Sequence, residues 1–239
     1  MKLAVLSDIH GNLAALNAVF EHLEKEAVDL FVCLGDIVGY GPRPDECLQL
    51  VASRCEICVA GNHDFAVAGK IDDENFNPVA RKAVRWTRGQ LSPESLSFLQ
   101  NLPLTARLDN VLFAHATPFM PEDWNYVLSE EEARFQLKQI EESLVFIGHS
   151  HMPLVFSLRM GLCYPGNQIL NLDGDRFVVN VGSVGQPRDA DARACCVTFE
   201  TSSSVLEYHR IPYDVDLTCR EIRDHRLPDF LADRLKLGQ

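Results

Sequence analysis

The chain has 239 residues, 46% of them hydrophobic and 23% charged, and a formal net charge of −12. This is the balance of a globular protein long enough to bury a large core, and its acidity, which repels polynucleotide phosphates, excludes a long nucleic-acid footprint. No apolar run approaches the roughly 20 residues needed to cross a bilayer, and MKLAVLSD at the N-terminus lacks the apolar length and small-residue cleavage site of a signal peptide, so a cytoplasmic location is expected.

The first 60 residues alternate strand and helix. KLAVLS is an apolar run ending at Asp8, followed by Leu13, Leu16, Val19, Phe20 and Leu23 at helical spacing. DLFVCLG ends at Asp36, and Pro44 and Asp45 suit the start of a second helix. CEICVAG reads as a third strand, ending at Asn62. Near-continuous apolar strands joined by helices predict a parallel sheet with right-handed crossovers. Residues 65–103 read as a helical insert, with segments at Pro78–Gln90 and Pro93–Asn101. TARLD and VLFAH flank an Asp109-Asn110 turn, Ser129-Glu-Glu-Glu132 matches a capping box, and LVFIGH is another buried strand. From Pro153 the short runs PLVFSL, QILNL, RFVVNVG, RACCVTF and SVLEYHR predict hairpin strands, and one or two helices follow Asp214, broken near Pro228. The economical assembly is one α/β domain spanning 1–239, two mixed sheets packed together with helices outside, a four-layer α/β/β/α sandwich.

Five short fragments carry the chemistry: SDIHGN, GDIVGYGP, GNHD, FAHATP and GHSH. Asp8, Asp36 and Asn62 each come after an apolar run, and ligands of parallel α/β sheets bind at the carboxyl ends of strands. His115, His149 and His151 follow apolar runs in the same way. Each residue alone is more often a turn former or a satisfied structural group; six positions converging on one rim are a metal site. Imidazole and carboxylate together suit Mn, Fe and Zn. Two cations about 3.5–4 Å apart need a bridging anion, which a carboxylate supplies, and activate a water between them for attack on phosphorus.

The ordered series D-x-H, GD, GNHD, H and GHxH resembles the calcineurin-like metallophosphoesterase superfamily. SDIHGN, GDIVGYGP and NVGSVGQPRD (Asn180 to Asp189) are similar to its small bacterial phosphodiesterase-like branch, and these matches span residues 7 to 189. The resemblance implies that Asp8, His10 and His151 bind a first metal, that Asp36 bridges, and that Asn62, His115 and His149 complete a second site. It implies that His63 protonates the leaving oxygen or stabilises charge, and that Asp64 orients His63 by a hydrogen bond. Two divalent ions among Mn, Fe, Zn, Ni and Mg are expected, Mn first. The substrate class is a small phosphate ester, a phosphodiester before a phosphomonoester, phosphoprotein or dinucleoside polyphosphate.

Other features carry blander readings. Arg81, Arg85 and Arg88 fall on one helical face and read as a solvated basic stripe rather than a substrate edge. Arg188 could meet a phosphate or pair with Asp189 or Asp191. His22, His209 and His225 are expected to be structural. Cys55-Glu-Ile-Cys58 could be a redox pair, which would make the chain a thiol oxidoreductase, but its place in an apolar run favours free core thiols. A non-catalytic binding module on the same scaffold would be expected to have lost part of the metal set, and this chain retains all of it.

Overall fold

The computed structural model describes residues 1–165 and 169–239. β1 (Lys2–Leu6), α1 (Leu13–Leu23), β2 (Leu30–Cys33), α2 (Pro44–Arg54) and β3 (Ile57–Cys58) form the expected alternation. β1, β2 and β3 pair in parallel. Three helices follow, α3 (Asn62–Ala68), α4 (Pro78–Arg88) and α5 (Pro93–Asn101), then β4 (Thr105–Leu108), β5 (Val111–Ala114), α6 (Glu130–Gln139) and β6 (Leu144–Ile147). The C-terminal part contributes β7 (Leu154–Ser157), β8 (Gly161–Cys163), β9 (Ile169–Asn171), β10 (Phe177–Asn180), β11 (Ala194–Glu200), β12 (Val205–Ile211), α7 (Val215–Asp224) and α8 (Asp229–Leu237). Gln168, the first residue of the expected strand QILNL, lies outside the described residues.

The strands form two six-stranded mixed sheets, ordered β3-β2-β1-β11-β12-β9 and β4-β5-β6-β10-β7-β8. Alternation along β1 sorts the layers. Leu3 and Val5 pack between the sheets with Val32, Phe113, Phe146, Val179 and Val197. Ala4 and Leu6 face the other way, against Leu16, Val19 and Leu23 of α1 and Leu48 and Val51 of α2. On the far side, Leu112, Val145 and Val178 meet Ala133 and Leu137 of α6. Strands buried on both faces need no polar alternation, which is why their sequences read as continuous apolar runs. The result is the four-layer α/β/β/α sandwich.

Three local expectations are corrected. CEICVAG pairs in the sheet only at Ile57–Cys58; beyond it Val59 still donates to the Cys33 carbonyl, but the Ala60 N–H goes to the Pro103 carbonyl, outside any strand. The helical block begins at Asn62 rather than 65, because Asp64 accepts a bond from the Gly61 N–H at 3.0 Å and closes the first turn of α3. The short strand β8, paired to β7, was not anticipated. Ser129 and Glu132 do form the reciprocal cap of α6.

Candidate metal centre

Both sheets deliver residues to one rim. Asp8 and His10 follow β1, Asp36 follows β2, and Asn62 opens α3 beyond β3. His115 follows β5, and His149 and His151 follow β6. The loops are tied to one another. The Asp8 N–H donates to Gly35 at 3.0 Å, His10 N–H to Asp36 at 2.9 Å, and Gly148 N–H to His115 at 2.8 Å. The His149 N–H donates to Asp8 Oδ2 at 2.9 Å, joining one sheet's loop to the other's carboxylate. Ser183 Oγ donates to the Asp8 carbonyl at 2.7 Å and Asn180 Nδ2 to the Gly148 carbonyl at 2.5 Å. Nothing in the spacing of NVGSVGQPRD announced this bracing role.

The chain crowds and twists here. Asp8, His10, Asp36, His149 and His151 all have positive φ, between 50° and 66°. Non-glycine residues reach that region rarely and at a cost, and they gather at functional sites. Gly61 serves a tighter purpose than turning: a Cβ there would lie 2.0 Å from Asp36 Oδ1 and 2.3 Å from the Asp36 nitrogen. Gly61→Ala is therefore expected to destabilise the protein by about 3 kcal/mol through overpacking against backbone, read as a lower denaturant midpoint. A midpoint equal to that of the parent protein would contradict it.

The imidazoles state their tautomers through their neighbours. His10 Nδ1 faces the Val38 carbonyl at 3.2 Å, His115 Nδ1 the Leu34 carbonyl at 2.9 Å, and His151 Nδ1 the Gln186 carbonyl at 2.6 Å. His149 is reversed, with Nε2 facing the Trp124 carbonyl at 2.9 Å. A carbonyl only accepts, so in each ring that nitrogen carries the hydrogen. The other nitrogen of each ring turns inward as a bare lone pair when the ring is neutral. His10 Nε2 and His151 Nε2 lie 3.1 Å apart, and His115 Nε2 and His149 Nδ1 lie 3.2 Å apart. Facing lone pairs repel unless a proton or a cation sits among them, and a second nitrogen tied to a carbonyl is how proteins aim a metal-binding histidine. Asp8 Oδ1 and Asn62 Oδ1 are buried with no hydrogen-bond donor. Asp8, His10 and His151 bring ligand atoms within 4.8 Å of one another, as do Asp36, His115 and His149. Asp36 Oδ2 stands between, 3.7 Å from His10 Nε2 and 3.4 Å from His115 Nε2. The residues present fit divalent cations.

His63 differs from the other four. Its Nδ1 is buried without any partner, and no carbonyl fixes its tautomer. Its ring lies between Tyr40, at 4.4 Å, and Phe76, at 4.9 Å. Together with His10 and Asp36 it forms a third group within metal-ligand reach. The expected hydrogen bond from His63 to Asp64 is absent. Both Asp64 oxygens are taken by backbone, Oδ1 by the Val38 N–H at 3.2 Å and Oδ2 by the Gly61 N–H at 3.0 Å. Asp64 braces the GNHD turn instead. It is the main-chain N–H of His63 that is anchored, to Asp36 Oδ1 at 2.8 Å.

Comparison with known proteins decides what this rim belongs to. Residues 1–171 match the family described as calcineurin-like phosphoesterase. The chain belongs to the calcineurin-like phosphoesterase family. It is a metal-dependent phosphoric ester hydrolase by that membership. An uncharacterized protein of Methanocaldococcus jannaschii is 38% identical over 99% of this chain and 98% of its own length. The phosphodiesterase YfcE of Escherichia coli strain K12 is 27% identical over 79% of this chain and 82% of its own. The crystal structure of a metallophosphoesterase from Sphaerobacter thermophilus superposes with a TM-score of 0.91 at 37% identity, covering 100% of this chain and 99% of that one.

Electrostatics in the phosphoesterase site follow from burial and charge. Burial alone would raise Asp8 and Asp36, but His151 and His115 beside Asp8, and His115 and His63 beside Asp36, hold both carboxyls below the usual range. Burial pushes His63 down to about 4 and His149 to about 3, the latter also repelled by His115. His10 and His151 are lowered for the same first reason. His115 goes the other way: burial lowers it, but the Asp36 and Asp8 carboxylates outweigh burial and hold it at about 9. Asp64 is raised to about 7 by burial and by Asp36. Without metal, then, one proton resides on His115 at neutral pH. A cation must displace it, so Mn binding is expected to release close to one proton at pH 7.5 and to tighten as pH rises toward 9. Calorimetry in buffers of different ionisation enthalpy reads this; proton uptake, or affinity falling over that range, would contradict it.

The remaining readings divide. Arg85 and Arg88 are exposed, as expected of a solvated basic stripe, and Arg81 is half-buried. Arg81 binds the carbonyls of Asp73, Glu74 and Phe76, Arg85 pairs with Asp73 at 2.8 Å, and Arg88 binds the carbonyls of Val67 and Ala66. They stitch the loop before α4 and the end of α3. Asp189 pairs with Arg210 and Asp191 with Arg193, leaving Arg188 bonded to Gln186 Oε1 at 3.0 Å, its Nε buried without a partner. His22, His209 and Thr198 form a hydrogen-bonded chain, and His225 packs on Trp86. All eight cysteines are free. Cys55 is raised well above the ordinary thiol range by its contact with Cys58 and by burial, the opposite of an activated thiolate.

Above His63, Asn62 and His149 opens a cavity of about 530 Å³. Its walls include Tyr40, Phe76, Trp124 and Tyr126. Tyr126 stacks on His149, at 4.1 Å and 14° between planes.

Proposed function

We propose that this phosphoesterase hydrolyses a small phosphate ester, a phosphodiester before other classes, with two divalent cations held in the rim. The two facing pairs of imidazole nitrogens, each ring aimed by a carbonyl behind it, carry this reading. Asp8, His10 and His151 would hold one cation, Asn62, His115 and His149 the other, and Asp36 would touch both. Mn is our first choice of metal, because imidazole with carboxylate accepts it and availability decides among Mn, Fe, Zn, Ni and Mg. When bound, such a pair supplies an activated water and neutralises charge developing at the phosphorus.

The chain's own residues do the rest. His63 stands at the cavity floor with a ring free of carbonyl partners, placed to offer an N–H hydrogen bond to the leaving oxygen and stabilise the charge developing there, or to protonate it where the substrate phosphate keeps the ring charged. Its main-chain bond to Asp36 couples its position to the cation-holding carboxylate. Asp64 acts on this geometry through the turn rather than through the imidazole. Since both sheets contribute, the chain works as one catalytic unit, with the 65–103 region supplying one wall of the cavity. The likeness to a phosphodiesterase supports diesters as the first substrates to try. The free thiols suit a reducing, cytoplasmic setting, and among the described residues no helix is long and apolar enough to cross a membrane.

The test is turnover of a panel of phosphodiesters and phosphomonoesters by purified protein loaded with Mn, with and without a strong chelator. Hydrolysis of a diester, abolished by the chelator and restored by Mn, is expected. Full activity in the chelator would overturn the proposal.

A further inference from the structure

The cavity over His63 has a charge pattern that the metal chemistry does not require. Asp72, Glu122 and Asp123 line it, all exposed at its mouth, and no lysine or arginine does so among the described residues. None of the three carboxylates is spent on an ion pair among the described residues; Asp72 accepts only the Glu74 N–H at 2.9 Å. The walls between them are aromatic. The Tyr126 ring lies flat on His149 and is 47% exposed, while Phe76 stands edge-on to His63.

We infer that this cavity receives the alcohol portion of the ester as a flat group carrying no negative charge, and that Asp72, Glu122 and Asp123 are specificity-determining residues that turn away a second anion. The inference rests on the phosphoesterase reading of the site and deepens it. The phosphate itself would lie at the floor, beside the residues that would hold the cations and with its charge offset by them. A substituent reaching outward would leave that protection and meet three carboxylates, with no lysine or arginine lining the cavity among the described residues. Coulomb repulsion over several ångströms in a partly solvated mouth is modest for each carboxylate and adds over three. Aromatic faces reward a planar ring instead. Aryl or nucleoside-like phosphodiesters with a single negative charge fit this mouth; polyphosphates and carboxylated alcohols do not.

The experiment compares two substrates of one size, methyl 4-carbamoylphenyl phosphate and methyl 4-carboxyphenyl phosphate, with the Mn-loaded enzyme at low salt. The carbamoyl ester is expected to be preferred about tenfold in kcat/KM, with the preference shrinking in concentrated salt. In D72N/E122Q/D123N the ratio should fall toward the intrinsic reactivity difference of the two esters, and E122Q/D123N, which leaves the Asp72 turn intact, should move it part-way. A ratio equal in parent and variants, or a preference for the carboxylate, would overturn the inference. If neither ester is turned over, the function reading fails separately, and calorimetric binding of the two corresponding aryl methylphosphonates to the loaded protein still decides the pocket's preference.

Discussion

Asp36→Ala should lower kcat/KM on the order of 10³-fold or more, the largest effect expected of any single substitution in this protein. Three features concentrate that effect on one carboxylate. Oδ2 stands within 3.7 Å of His10 and 3.4 Å of His115, which belong to different candidate cation groups. Oδ1 holds the main chain of His63 at 2.8 Å. Asp36 also supplies the attraction that keeps His115 protonated without metal. Its loss should therefore weaken cation binding, shift His63 and lower the His115 pKa together. Steady-state kinetics with metal analysis reads the first two. Retention of most activity with full metal content would contradict the bridging role, whereas a variant that bound one equivalent of Mn would agree with it.

His63→Asn should lower kcat by about 10²- to 10⁴-fold while metal content stays unchanged. The reason for separating the two readouts is that His63 also falls within ligand reach of His10 and Asp36. The four other site imidazoles each have a nitrogen tied to a carbonyl, and His63 has none. A group that moves a proton to the leaving oxygen matters most when that oxygen leaves badly. The loss should accordingly be smaller for a p-nitrophenyl ester than for an alkyl ester. A uniform loss accompanied by missing metal would instead make His63 a ligand.

Much of this site was legible because strand ends are legible. An apolar run ending in Asp or His marks both the edge of a buried strand and a polar group that cannot stay inside it, and for Asp8, Asp36, His115 and His149 the two coincide. The order of the fragments then supplied the rest of the set. What could not be read depended on contacts between distant segments. Asp64 adjoins His63 in sequence, yet its oxygens serve Gly61 and Val38, because the first turn of α3 has N–H groups to satisfy. The arginines of α4 read as a surface stripe by spacing, and Arg85 and Arg88 are exposed, but nothing in the sequence reveals that the loop from Asp73 to Phe76 folds back onto Arg81 and Arg85. β3 was too long in expectation because Val59 and Ala60 are apolar and buried, yet Val59 keeps a single bond to β2 and Ala60 turns to Pro103. The carbonyls behind His10, His115, His149 and His151 come from residues 25 to 81 positions away, and no local pattern encodes them.

We propose that the rim holds two cations, with Asp36 between them and His63 outside. The direct measurement is a crystal structure of the Mn-loaded protein with anomalous scattering at the manganese edge. Two peaks per chain are expected, one among Asp8, His10 and His151 and one among Asn62, His115 and His149, both touching Asp36. A single peak, or a peak ligated by the His63 ring, would contradict the account.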